Sequence, residues 1–333
     1  MDKSHTTTGV LEEFQTHLSD WRQRLPNKGF FLVLLAAWLA LFSFLGNSTF
    51  GYIDTPSLLR WMWNAYNQDH PAGDDGHGDL IPFVVLALFW WKREGLLAQP
   101  LRAWWPALLL VAGALVLHVI GYLVQQPRVS IIALFVGLYG LTGLAWGPGW
   151  LRASFFPFCL FTFMVPLGSL TERLTFPLRL FVTKTVALIC NHVLAIDVTS
   201  QGTHLFKMPY QYEYDVAPAC SGIRSLVAIT VIAIIYAFLA FKTPWKRGLL
   251  MVSAVPLAVL ANVFRMITIV VAAELGGQEW GSYVHNGGPL GILSLLPYVP
   301  AIIGLLLLGR WLEGRTPQAA PTDRAMREQP ASV

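Results

Sequence analysis

Charge is scarce in this chain. Its 23 Lys and Arg and 19 Asp and Glu amount to 13% of 333 residues, against about 25% in an ordinary soluble domain. With 55% of residues hydrophobic, that shortage excludes a soluble globular protein and implies a lipid-embedded one. Cysteine is scarcer still. Cys159, Cys190 and Cys220 are odd in number and far apart, which excludes a disulfide framework and a CxxC metal site. There is no internal repeat and no second soluble domain. The net charge is a modest +4. No nucleic acid is expected among the partners, and no cofactor or metal is expected.

Long apolar runs are what the chain has in quantity, with 13 Trp and 10 Tyr suited to interfacial belts. Spanning candidates are Gly29–Gly46, Leu80–Trp91, Trp104–Tyr122, Val129–Trp146, Ala153–Leu167, Leu226–Phe241, Gly248–Ala273 and Leu290–Leu308. Leu174–Ile196 differs, because Arg179, Lys184, Asn191 and His192 interrupt its apolar positions. That pattern suits an interfacial or re-entrant helix. Gln201–Tyr214, with Tyr210, Tyr212 and Tyr214 among polar residues, reads as a small hairpin on the membrane. The expected fold is therefore an all-α polytopic membrane protein with about eight transmembrane helices, one interfacial or re-entrant helix and a small extracytoplasmic hairpin. Residues 1–28 form a cytoplasmic arm, 29–310 the multi-span domain and 311–333 a disordered cytoplasmic tail. The first apolar run lacks a small-x-small cleavage site and reads as an uncleaved anchor.

Basic clusters set the orientation. Arg22/Arg24/Lys28, Lys92/Arg93/Arg102, Arg152, Lys242/Lys246/Arg247 and Arg310/Arg315 all fall on the cytoplasmic side if Leu174–Ile196 does not cross. The acidic loop Asn47–Asp79, the turn around Cys220 and the segment Glu274–Pro289 then share the outer face.

Three groups on that face could do chemistry. Pro218-Ala-Cys220-Ser221-Gly-Ile-Arg224-Ser225 puts a thiol, a hydroxyl and a guanidinium at the lip of an apolar helix. A free Cys is most often a small buried hydrophobe, but a helix N-terminus and a cation four residues on both favour the thiolate. Arg265 lies inside the run Gly248–Ala273, about 17 residues or roughly 25 Å from its inner end. A charge there marks function, a partnered site or a side chain snorkelling to the headgroups. Asn262 is one turn below on the same face. His285, in Tyr-Val-His285-Asn-Gly-Gly-Pro289, has the ring whose pKa suits a general base for a Cys nucleophile. Alone it would be an ordinary loop histidine. Asp74, Asp75 and Asp79 beside His77 read as a solvated acidic loop.

The order Pro-Ala-Cys220-Ser-Gly-Ile-Arg224-Ser, Asn262-x-x-Arg265, His285 resembles the exosortase/archaeosortase family. Asp75-Gly-His77-Gly-Asp-Leu-Ile-Pro82 is similar to that family's early His-Gly motif, and the resemblance spans roughly residues 29–310. It implies a membrane cysteine protease-transpeptidase of the bacterial inner membrane, with its active site on the periplasmic face. Its substrates would be membrane-anchored exported proteins ending in a Pro-Glu-Pro-like motif, a transmembrane helix and a basic tail. The work would be protein sorting linked to exopolysaccharide and biofilm production. Cys220 would be the nucleophile forming a thioacyl intermediate, Arg265 the oxyanion stabiliser and His285 the acid and base. Arg224, Asn262, Ser221 and His77 would bind substrate or support the site, with Arg224 equally readable as an interfacial anchor. The acceptor would be water, a lipid or a glycan precursor. The rival readings are a transporter or flippase subunit without covalent chemistry, and a serine protease built on Ser221.

Overall fold

The computed structural model describes residues 16, 19–21, 23–46, 55–67, 75–167, 169–207, 212–215, 223–288, 293, 295 and 298–314. The protein is a helical membrane protein. Among the described residues three helical stretches, Trp105–Leu123, Pro127–Trp146 and Pro244–His285, are long and apolar enough to cross a bilayer by themselves, and Lys28–Phe44, Gly76–Trp91 and Leu226–Ala240 are shorter apolar helices. The chain divides into two compact units, Met1–Arg173 and Leu174–Val333, each described by itself.

The first unit comprises α1 (Lys28–Phe44), α2 (Leu58–Asn67), a 3₁₀ turn at Gly76–Asp79, α3 (Ile81–Trp91), α4 (Arg93–Leu97), α5 (Leu108–Leu123), α6 (Pro127–Trp146), α7 (Pro148–Cys159) and a 3₁₀ turn at Leu160–Met164. Pro at the first turn of α6 and of α7 fits a position whose N–H has no intrahelical partner. α6 is the spine. Its Gly137 has no room for a side chain, because a Cβ there would sit 1.9 Å from the Trp38 ring. Trp38 in turn donates its indole N–H to the Leu134 carbonyl at 3.0 Å. The expected span Ala153–Leu167 is not one continuous α-helix. α7 carries Pro157 in its last turn, ends at Cys159 and tightens into the 3₁₀ turn. A proline withholds the N–H that would have bonded back one turn.

The second unit comprises α8 (Ser169–His192) from Leu174 onward, β1 (Thr199–Gln201), β2 (His204–Lys207), β3 (Tyr212–Asp215), α9 (Ile223–Ala240), α10 (Pro244–His285) and α11 (Tyr298–Gly314). The expected hairpin is β2–β3, and β1 adds a third antiparallel strand in the order β1-β2-β3. Asn191 ties the end of α8 to this sheet, donating to the Val198 carbonyl at 2.9 Å and accepting from its N–H at 2.7 Å. α8, the sheet and α10 share a core that includes Val186, Cys190, Leu205, Tyr212, Tyr214, Met266, Ile269 and Ala273. A second core joins α9, α10 and α11 through small residues, among them Ala233, Ala237, Ala254, Ala258 and Ala301. α11, described from Tyr298, runs on past the expected Leu308 to Gly314. Its last turn is held by Lys246, whose ammonium donates to the Leu312 carbonyl at 2.7 Å, a cation placed where helix-end carbonyls lack partners.

Candidate functional site

α10 positions two of the candidate residues by bending back on itself. Arg265 and His285 are twenty residues apart, which in a straight helix would separate them by about 30 Å. Yet an Arg265 Nη2–H donates to the His285 carbonyl at 3.2 Å. The reversal is at Gly277, with φ 74° and ψ −171°, a backbone region that only glycine occupies readily. The returning segment lies close against the outgoing one. A Cβ on Gly281 would come within 2.9 Å of the Ala273 Cβ and 1.9 Å of the Tyr214 hydroxyl.

His285 is the last residue of that returning segment. Gly287 and Gly288 follow with φ 92° and 62° and bond back to Val284 and Tyr283 at 3.1 and 2.9 Å, a left-handed glycine stop. The Arg265 guanidinium therefore caps a half-buried helix-end carbonyl. Within the ring, Nδ1 lies 3.2 Å from the Asn286 side-chain oxygen. When Nδ1 carries the proton, it can donate to that oxygen.

The sheet reaches the same place. The Tyr214 ring stacks on the His285 ring, centroids 6.3 Å apart and planes at 24°, and its hydroxyl donates to the Gln278 carbonyl at 3.1 Å. The Gln278 amide extends β3, accepting from Glu213 N–H at 3.1 Å and donating to the Glu213 carbonyl at 3.3 Å. Lys207 grips both oxygens of Glu274 at 2.6 and 2.7 Å, and Tyr212 donates to the same carboxylate at 3.4 Å. Burial raises the Tyr212 and Tyr214 phenols above the ordinary range, with the Glu274 charge adding to the effect on Tyr212. Both therefore remain hydrogen-bond donors through neutral and mildly alkaline pH.

Asn262 sits one helical turn before Arg265 on the continuous part of α10 and is 2% exposed. Its Nδ2 is buried without a hydrogen-bond partner among the described residues. Arg224 falls in the first turn of α9. Cys220 and Ser221 lie outside the described residues. Of the other thiols, Cys190 is fully buried in the core between α8 and the sheet, and Cys159 ends α7. His77 belongs to the first unit, in the 3₁₀ turn that precedes α3. Beside it, Asp75 accepts from the Leu167 N–H at 3.2 Å, and the Tyr66 hydroxyl donates to the Met164 carbonyl. No group of three or more metal-ligating side chains occurs among the described residues.

Sequence reasoning passed over Tyr214 and Gly277. The second had a signal, since Gly276-Gly277 interrupts an otherwise helical pattern. Tyr214 had none, because an aromatic in a short strand is ordinarily packing.

No curated protein and no solved structure matches this chain. Residues 63–296 do match a family, and that stretch runs from within α2, through the His77 turn and the Cys-Ser-Gly segment, past the Arg265–His285 pair. On that match the chain belongs to the transmembrane exosortase family.

Proposed function

We propose that this protein is an integral-membrane cysteine protease-transpeptidase that cleaves C-terminal sorting signals from exported, membrane-anchored proteins. The observation that carries the reading is the reversal of α10 at Gly277, which brings the Arg265 guanidinium onto the end of the segment bearing His285. β3, stacked on that histidine through Tyr214, ends at Asp215, five residues before Cys220. A cation and an imidazole joined in one element, with a thiol a short chain away, are the parts that thiol acyl transfer needs.

In this mechanism the Cys220 thiolate attacks the scissile carbonyl carbon and forms a C–S bond. The carbonyl electrons move to an oxyanion that Arg265 stabilises. One guanidinium N–H is engaged with the His285 carbonyl, and the others of its five remain for the reacting oxygen. Collapse breaks the C–N bond, and the leaving amine takes a proton from the His285 imidazolium. His285, now neutral, removes a proton from the acceptor's hydroxyl as that oxygen attacks the thioester. The Cys220 thiolate leaves, and His285 is again protonated. Water gives hydrolysis, whereas a lipid or glycan hydroxyl gives transfer. Arg224 binds a substrate carboxylate with its planar fork, and Ser221 and Asn262 supply further hydrogen bonds. His77 supports the fold of its own turn. The site works on the periplasmic face of a bacterial inner membrane.

The test is co-expression with a tagged protein ending in a Pro-Glu-Pro-type signal, followed on a gel. Wild type is expected to shift the substrate's size and Cys220→Ala to leave it unprocessed while inserting normally. Processing that survives Cys220→Ala would sink the mechanism.

A further inference from the structure

We infer that Tyr214 is a positioning residue for His285, fixing the plane of its imidazole for the reaction at Cys220. The inference rests on the function proposed above. Tyr214 is 5% exposed and is held at both ends. Its ring face lies on the imidazole at 24°, and its hydroxyl is anchored on the Gln278 carbonyl, the first residue after the Gly277 reversal. A stacked ring fixes the plane of the imidazole, and an anchored hydroxyl fixes the ring. Gly281 leaves the space this needs, since any Cβ there would overlap the hydroxyl.

The placement in the chain matters as much as the contact. Tyr214 is the penultimate residue of β3, so the residue that orients His285 is separated from Cys220 by five intervening residues. The strand is also clamped to the α10 reversal by the Gln278 and Lys207–Glu274 bonds. The same short strand thus precedes Cys220 in the chain and grips the histidine.

The experiment uses the full chain in membranes, with Tyr214→Phe, Tyr214→Leu and His285→Ala beside wild type. Two readouts are taken: the kcat and KM of substrate processing, and the rate of iodoacetamide labelling of Cys220, read on its own peptide by mass spectrometry. An imidazole correctly placed beside a thiol keeps it ionised well below its usual pKa. Wild type is expected to label Cys220 readily at about pH 6, well below an unperturbed thiol's pKa, and Tyr214→Phe, which keeps the ring but loses its anchor, to label at a rate between those of wild type and Tyr214→Leu. Tyr214→Leu and His285→Ala are expected to label about tenfold more slowly there and to recover at about pH 9, where a free thiol ionises unaided. Processing by Tyr214→Leu should lose about a hundredfold in kcat with KM unchanged, the signature of misplaced chemistry. Wild-type labelling of Tyr214→Leu at the lower pH, with His285→Ala impaired, overturns the inference alone. So does a labelling loss in Tyr214→Leu that persists at the higher pH, which would mark a packing defect. Processing that survives Cys220→Ala removes the proposed function and this inference with it.

Discussion

Asn262 and Arg265 occupy one face of one helix and make opposite demands on it. The Asn262 amide is buried with Nδ2 unpartnered among the described residues, and an unsatisfied buried donor costs about 1–3 kcal/mol. Asn262→Leu, of similar volume, should therefore raise the melting temperature in detergent by removing that penalty. It should lower processing if the amide is kept for a substrate. A variant that is both more stable and fully active would show the amide to be dispensable. Arg265 is different, because it has a structural use that can be seen. As cap of the returning segment it is worth about 0.3–1 kcal/mol, which Arg265→Ala should lose as a small drop in melting temperature. Arg265→Lys keeps a cation within reach of the cap but not the fork of donors. It should keep stability while processing falls about a hundredfold, the usual loss when one oxyanion donor goes. Equal processing by Lys and Arg would reduce the residue to a cap. Both positions were legible as candidates from sequence, because a charge and an amide inside an apolar run have few bland explanations. Their relation to His285 was not legible, because twenty residues of helical pattern read as distance.

At the level of elements, the reversal of α10 is what makes Arg265 and Tyr214 neighbours of His285. Helix periodicity located the outgoing part as Gly248–Ala273, and the arrangement beyond it depended on the backbone state of Gly277. Ala at Gly277 must adopt φ 74°, ψ −171°, at about 1–3 kcal/mol of strain, or straighten the helix. Gly277→Ala should therefore lower the melting temperature and abolish processing together. Gly281→Ala makes a sharper test, since its backbone is helical and only space is lost. A methyl 1.9 Å from the Tyr214 hydroxyl should displace that ring and cut processing while leaving the helix content by circular dichroism unchanged. The hairpin was legible as extended, polar and aromatic. The third strand was not, because Thr199–Gln201 is three exposed polar residues whose pairing is defined by β2, not by any pattern of their own. The broken span at Pro157 could have been read from its proline. The start of α11 at Tyr298 had a signal too, in Pro297 and Pro300.

For the molecule as a membrane protein, the second unit carries its own orientation test. α10 runs from Pro244 to the reversal at Gly277, about 50 Å at 1.5 Å per residue, well beyond an apolar core of about 30 Å. Its two ends must therefore lie on opposite sides of the bilayer wherever the helix crosses it. The first end bears Lys246 and Arg247, and the second is joined to the sheet by Glu274 and Gln278. On the positive-inside rule the basic end is expected in the cytoplasm, which would put the reversal, His285 and the sheet on the outer side, where the proposed function requires them. Single cysteines at Arg247 and at the exposed Glu279, in a chain with Cys159, Cys190 and Cys220 replaced by Ala, would report this directly through a membrane-impermeant maleimide. Glu279→Cys should label in intact spheroplasts and Arg247→Cys only after permeabilisation. The reverse pattern would place His285 on the cytoplasmic side and deny it any substrate already exported. Labelling of both before permeabilisation would mean that α10 does not cross, and the depth assigned to Arg265 would go with it.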